Sequence, residues 1–361
     1  MRKSKRKIQM STLISSSRQL KSRDSNMELL RIVSMLLVLL VHADYLSLGA
    51  PTTEDVATHP TESFIKMLVY SISTVCVNCF VLLSGWYGIR PKLKRLGEFL
   101  FQVIFICGTS LSIYLLCSGR SIDMTDIKSL LLLTDDLWFV KSYLVLYLLS
   151  PALNTFSSTA SHREYLFILC GLFLLQTVFG WGFVVVPWFD GGYSPLSFIL
   201  LYLLGQYLHR YPNKHTNRSS SHHLASYAFM TVLCAVINFI SLRIGIGEGV
   251  AWMSYISPLV IINSVLLLLY FSKLSFQSKK VNWVARSCFA VYLLHCTRHV
   301  LEWYCDEIRE NYGSNNYLSI LFLMLAIYAA AVLLDKARIL IWEFLTGKKQ
   351  PPKGMKTEKY Q

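Results

Sequence analysis

The sequence predicts an all-α protein: a polytopic membrane helical bundle of about ten transmembrane helices with both termini cytoplasmic. Three observations predict it. The 361 residues are 53% hydrophobic and only 16% charged, with a mean hydropathy of +0.44, whereas a soluble globule carries about 25% charged residues. The apolar residues fall in blocks of about 20, the length that crosses a bilayer as a helix. Basic residues collect in alternate connections, as the positive-inside rule requires.

The elements follow in chain order. Residues 1–26 are basic and Ser-rich and read as a disordered cytoplasmic tail. The apolar run after them is too long for a signal peptide and has no small-residue cleavage site, so it reads as an uncleaved first span. Hydropathy places the spans of a membrane domain 27–345 at about 29–48, 64–88, 98–117, 137–151, 164–186, 194–209, 224–243, 251–272, 283–302 and 316–340. Residues 346–361 form a second basic tail. Lys and Arg crowd the first tail and the loops holding Arg90 to Arg95, Arg210 to Arg218 and Lys273 to Lys280. The intervening loops are poor in them, which sets both ends inside, in a plasma (inner) membrane topology. The net charge of +14 is thus spent on topology, and no nucleic acid partner is expected. No metal is expected either. Most of the nine cysteines lie in apolar runs and read as small buried hydrophobes, and His222 and His223 lack a ligand set. The lipid bilayer is the one partner that composition demands, and the sequence sets no oligomeric state.

No connection is long enough to hold a globular domain, so any chemistry belongs to the bundle. The stretch "ELLRIVSMLLVLLVHADYL" opens the first span with Arg31 and carries His42. Ionisable residues are costly in a bilayer and mark functional sites. Eleven residues make almost a whole number of turns, so the two share a face to within about 20°, about 16 Å apart along the axis. With the N-terminus inside, Arg31 sits at the inner boundary and His42 toward the outer leaflet. Asn78 in the second span and Asn263 in the eighth are further buried amides. Asp135 and Asp136 head the fourth span, where Asp135 suits a helix cap and Asp136 a hydroxyl ligand. Trp181, Trp188 and Tyr193 suit an aromatic belt at the membrane interface.

These stretches are similar to a known family. The first span, with Arg and His eleven positions apart, resembles that of the membrane acyltransferase-3 family. "NCFVLLSGWYGIRPKLKRL", "LWFVKSYLVLYLLSPALN" and "SCFAVYLLHC" resemble its second, middle and late segments in the same order. The resemblance implies an integral membrane enzyme that moves an acyl group, most often acetyl, from cytoplasmic acyl-CoA to a hydroxyl of an envelope glycan or lipid-linked sugar. It makes His42 the catalytic base and Arg31 its partner, and adds Trp138, Tyr143, Tyr292 and His295 as matched positions. Lys141 stands between two of these. Arg90 and Arg95, in the basic loop, become coenzyme A ligands by the same implication. No cofactor is held permanently, and acyl-CoA is a co-substrate. The expected mechanism has Arg31 hold the phosphates while His42 takes the proton of the acceptor hydroxyl, with an acyl-histidine intermediate as the rival route. His295 should lie as deep as His42, with Tyr292, Arg298 and His299 on its helix face. A transporter or flippase of an anionic or lipid-linked sugar is the alternative. Its weakness is that most prolines fall at span ends, with only Pro258 inside a span.

Overall fold

The structure is a computed structural model that describes residues 24–182, 186–214, 216–246 and 251–347. Both basic tails lie almost wholly outside these residues. Helices, with no strands among the described residues, make up the fold. In chain order they are α1 Ser25–Val41, continued by a π-helical turn His42–Ser47, then α2 Thr53–Thr58, α3 Pro60–Ser73, α4 Cys76–Tyr87, α5 Leu93–Ser118, α6 Met124–Leu130 and α7 Trp138–Thr159. There follow α8 His162–Gln176, α9 Pro195–Arg210, α10 Ser220–Arg243, α11 Pro258–Ser272, α12 Lys279–Ala285, α13 Cys288–His295, α14 Arg298–Gly313 and α15 Tyr317–Leu345.

Six helical stretches are long and apolar enough to cross a bilayer: Ser25–Ser47, Pro60–Tyr87, Leu93–Ser118, His162–Gly182, Ser220–Arg243 and Tyr317–Leu345. The four other hydropathic segments are also helical. They hold α7, the 16-residue α9, the 15-residue α11 and the α12–α13 pair. The ninth segment differs from expectation. It is not one helix over 283–302 but breaks at Arg286–Ser287 and again at Cys296–Thr297. Arg298 and His299 therefore begin α14, a separate polar helix, and do not continue the face of His295. Proline placement also differs. Pro258 sits at the first position of α11, where no amide hydrogen is needed, whereas Pro151 lies inside α7.

Helix α1 is central, packing against α3, α4, α11, α12, α13 and α15. That burial lets a membrane helix carry polar groups away from lipid. The tightest pair is α4 with α9. A Cβ on Gly85 would meet the Tyr202 backbone, with its carbonyl carbon at 2.9 Å, and one on Gly205 would lie 3.0 Å from the Trp86 nitrogen. Glycines let two membrane helices touch backbone to backbone. Short helices join the longer ones. Asp123 and Asp126 cap α6 reciprocally, and Arg120 binds Asp126 through 2.6 and 2.8 Å contacts.

Candidate active site

A cavity of about 540 Å³ opens inside the bundle, within the usual range for small-molecule sites. Arg31 and His42 both line it, as their shared helical face requires. The residues between them on that face, Met35 and Val38, line it too. An apolar sleeve thus joins the two polar ends, completed by Phe99, Phe289, Tyr143 and Phe80 from four other helices.

At the Arg31 end, Nη1 of Arg31 donates to Glu28 at 2.6 Å, and the guanidinium lies over the Tyr87 ring at 6.0 Å. Arg31 remains about a third exposed. Sequence reasoning missed a second cation here. Arg286 lines the cavity at the break between α12 and α13. The eight residues of α13 separate it from His295 by about 12 Å of helix, which places it at the Arg31 end. Ser25 ties α1 to that end through Asn282 at 3.0 Å. Arg90 and Arg95 are not brought to the cavity. Both are exposed, and Arg95 donates to the Arg90 carbonyl at 3.2 Å.

At the other end His42 begins the π-helical turn. Such turns cluster at functional sites because they widen the helix and free backbone groups. Here Tyr304 donates to the Leu39 carbonyl at 2.9 Å, and Ser47 donates to the His42 carbonyl at 2.8 Å. His42 Nδ1 lies 2.9 Å from Nε2 of His295, which is fully buried. The proton positions follow from the partners. His295 Nδ1 is 2.7 Å from the Val291 carbonyl, an acceptor only, so Nδ1 must donate. A neutral His295 then has a bare Nε2, to which His42 donates from Nδ1. That leaves the lone pair of His42 on Nε2, the ring edge left for the cavity. Cys296 Sγ lies 3.4 Å from His295 Nε2 and 4.0 Å from His42 Nδ1. Among the described residues these three are the cluster that could hold a metal ion.

The wall around His42 is aromatic and acidic. Trp138, Tyr193, Tyr255, Asp135 and Asp136 line it. Trp138 and Tyr193 pack edge to face at 4.4 Å, so Tyr193 belongs to the cavity and not to an interface belt. Trp188, at 75% exposure, does face outward. Asp135 is not a helix cap either. Leu137 precedes α7 in the left-handed region, and no side chain caps that helix. Asp136 accepts from Thr134 at 3.0 Å and Ser129 at 3.3 Å. Tyr292 and Tyr143 line the cavity; Tyr292 accepts from the Phe139 amide at 3.3 Å, and Tyr143 meets Ser84 at 3.4 Å. Two further residues only support the wall. Lys141 donates to the Thr134 carbonyl at 2.6 Å, and Asn78 donates to the Tyr255 carbonyl at 2.9 Å. His299 is elsewhere, stacked on Tyr114 at 3.6 Å and 3.6 Å from Asp126.

Membrane-length helices around a cavity with a cationic end and a histidine end define a membrane protein with an internal cavity. Comparison with known proteins gives that class its family. The acyltransferase domain model of acyltransferase 3 matches residues 24–337, so the chain belongs to the acyltransferase-3 family and is a membrane acyltransferase. No curated protein and no solved structure matches the chain.

Proposed function

We propose that the protein transfers an acyl group, acetyl by preference, from cytoplasmic acyl-CoA to a hydroxyl of an envelope glycan or lipid-linked sugar. The observation that carries the reading is a single cavity lined by Arg31 and Arg286 at one end and by His42, held by His295, at the other. All ten helical segments cross the plasma membrane in this reading, with both termini inside, so the arginines face the cytoplasm.

The donor's phosphates dock on Arg31 and Arg286 at the inner mouth. Its uncharged pantetheine arm threads the apolar sleeve, and the thioester reaches His42. The acceptor sugar enters from outside, stacking on Trp138 and Tyr193 and hydrogen-bonding Asp136. His42 Nε2 takes the hydroxyl proton as oxygen attacks the thioester carbon. The C–S bond breaks, and the proton passes to the departing thiolate. While His42 is an imidazolium, its Nδ1–H bond to His295 strengthens, a service that a fixed neighbour supplies without reorganisation.

The test is acetyl incorporation from radiolabelled acetyl-CoA by the purified chain in lipid nanodiscs supplied with envelope glycans. His42→Ala should abolish labelling and Arg31→Ala should raise the KM for acyl-CoA. Wild-type labelling by a folded His42→Ala variant overturns the reading, and vesicle uptake without covalent label points to a transporter.

A further inference from the structure

We propose that His42, His295 and Cys296 form a zinc-class metal site, and that an ion bound there switches the acyl transfer off. The consequence for turnover rests on His42 as the base; the binding itself does not.

The donor atoms are already close to a coordination triangle. Zinc bonds of about 2.0–2.1 Å to nitrogen and about 2.3 Å to sulfur at a tetrahedral angle set N···N near about 3.3 Å and N···S near about 3.5 Å. The observed separations are 2.9 Å between the two nitrogens, 3.4 Å from His295 to sulfur and 4.0 Å from His42 to sulfur. Each is within about 0.5 Å of the tetrahedral value, a shift that side-chain rotation supplies. His295 also has the outer-shell bond that metal-binding imidazoles use. Its Nδ1–H is tied to the Val291 carbonyl, which fixes Nε2 as the ligand atom. His42 and Cys296 line the cavity, so an ion has an entry path and a fourth position open to water.

Binding shuts down the base by moving a proton. Zinc takes Nδ1 of His42, Nε2 of His295 and the Cys296 thiolate. The thiol proton leaves to solvent, and the Nδ1 proton of His42 moves to Nε2. The edge that would accept the substrate proton then already carries one. Nothing is oxidised or reduced.

The experiment is cobalt titration of the full chain in nanodiscs, read by the thiolate-to-cobalt absorption band, beside turnover with and without zinc. The wild type should show the band, lose it on adding zinc, and lose turnover to zinc in a way that EDTA reverses. Cys296→Ala should lack the band. Its zinc concentration for half-inhibition should rise at least about tenfold, the smallest effect expected even of an outer-shell change. Cys296→Ser, closer in size, is the second variant should alanine fail to fold. Cys117→Ala and Cys170→Ala alter exposed thiols and should behave as wild type. Absence of the band in the wild type, or an unchanged band and unchanged zinc response in both Cys296 variants, overturns the proposal. A band that Cys296→Ala removes, with turnover indifferent to zinc, supports the metal site and overturns the switch together with His42 as base. The two failures are thereby distinguished.

Discussion

The His42–His295 contact makes a quantitative claim about turnover. In the proposed mechanism removing His42 deletes the general base, a loss of about 10²–10⁴-fold, or about 3–5 kcal/mol at 1.36 kcal/mol per tenfold. His295→Ala removes no group that touches substrate, because His295 is fully buried behind His42. It leaves the Nδ1 donor of His42 without its 2.9 Å partner. An unsatisfied buried donor costs about 1–3 kcal/mol. The free imidazole can escape that cost by rotating or changing tautomer, and both responses take Nε2 out of position. His295→Ala should therefore lower kcat by about 5- to 150-fold, from that same 1–3 kcal/mol, and leave the KM for acyl-CoA alone. His295→Gln, whose carbonyl oxygen can accept from Nδ1, should recover part of the loss. The double variant should match His42→Ala alone within about threefold, since residues that act as a unit are not additive. The assay is steady-state acetyl transfer in nanodiscs, with thermal melting to confirm folding. A double variant whose defect is the product of the single defects, or a folded His295→Ala enzyme of wild-type kcat, would refute the reasoning.

Arg286→Ala should raise the KM for acyl-CoA roughly fivefold, about 1 kcal/mol for an exposed charge–phosphate contact. It should not change the KM for acetyl-pantetheine, which lacks the distal phosphates; equal effects on both donors would remove Arg286 from phosphate binding. Trp138→Ala and Asp136→Asn should raise the KM for the glycan acceptor and not for the donor, as initial-rate kinetics with each substrate varied will read. Gly205→Ala forces α4 and α9 apart at a backbone contact and should cost about 1–3 kcal/mol or more, seen as a lower melting temperature in detergent. Asp123 is held below the usual carboxylate range by the Asp126 amide, aided by the Arg120 guanidinium. Its stabilisation of α6 is therefore full above the ordinary carboxylate pKa and fades as pH falls through the lowered value. Hydrogen-exchange protection over residues 124–130, corrected for the intrinsic rate at each pH, should fall in acid, and Arg120→Ala should move that fall to higher pH.

The sequence carried the helices and the principal pair well, because both rest on strong signals. Hydropathy in blocks of bilayer length does not depend on tertiary context, and an Arg and a His eleven residues apart must share a face. The errors fall where backbone geometry decides and hydropathy does not change. The run "VARSCFAVYLLHCTRHVLEW" is apolar enough to read as one span, yet Ser287 and Thr297 each stand one residue before a new helix. Reading these two as start signals would have isolated the eight-residue α13 and pointed to Arg286 just before its N-terminus. Asp135 fits the residue preference for a cap, but the left-handed Leu137 starts α7 without one. Tyr193 was invisible as a cavity residue because its partner Trp138 lies 55 positions back, and composition cannot distinguish an aromatic that meets lipid from one that meets another aromatic.

Why His42 is partnered by a second histidine follows from its depth. A serine-hydrolase-like arrangement would orient the base with a carboxylate. In the fully buried position of His295 that carboxylate would be an isolated charge, costly whenever the base is neutral. Asp335, fully buried, shows what burying an acid takes: it receives Arg338 at 2.7 and 2.9 Å and Gln102 at 2.8 Å. Among the described residues no arginine is hydrogen-bonded to the pair at His42. A neutral His295, itself pinned by the Val291 carbonyl, sets the tautomer of His42 without adding charge. The same economy separates the cavity's two ends. Arginines beside the base would oppose the imidazolium it becomes in the proposed mechanism, whereas at Arg31, about 16 Å down the axis, that mechanism has them hold the donor's phosphates and leave the proton transfer to neutral groups.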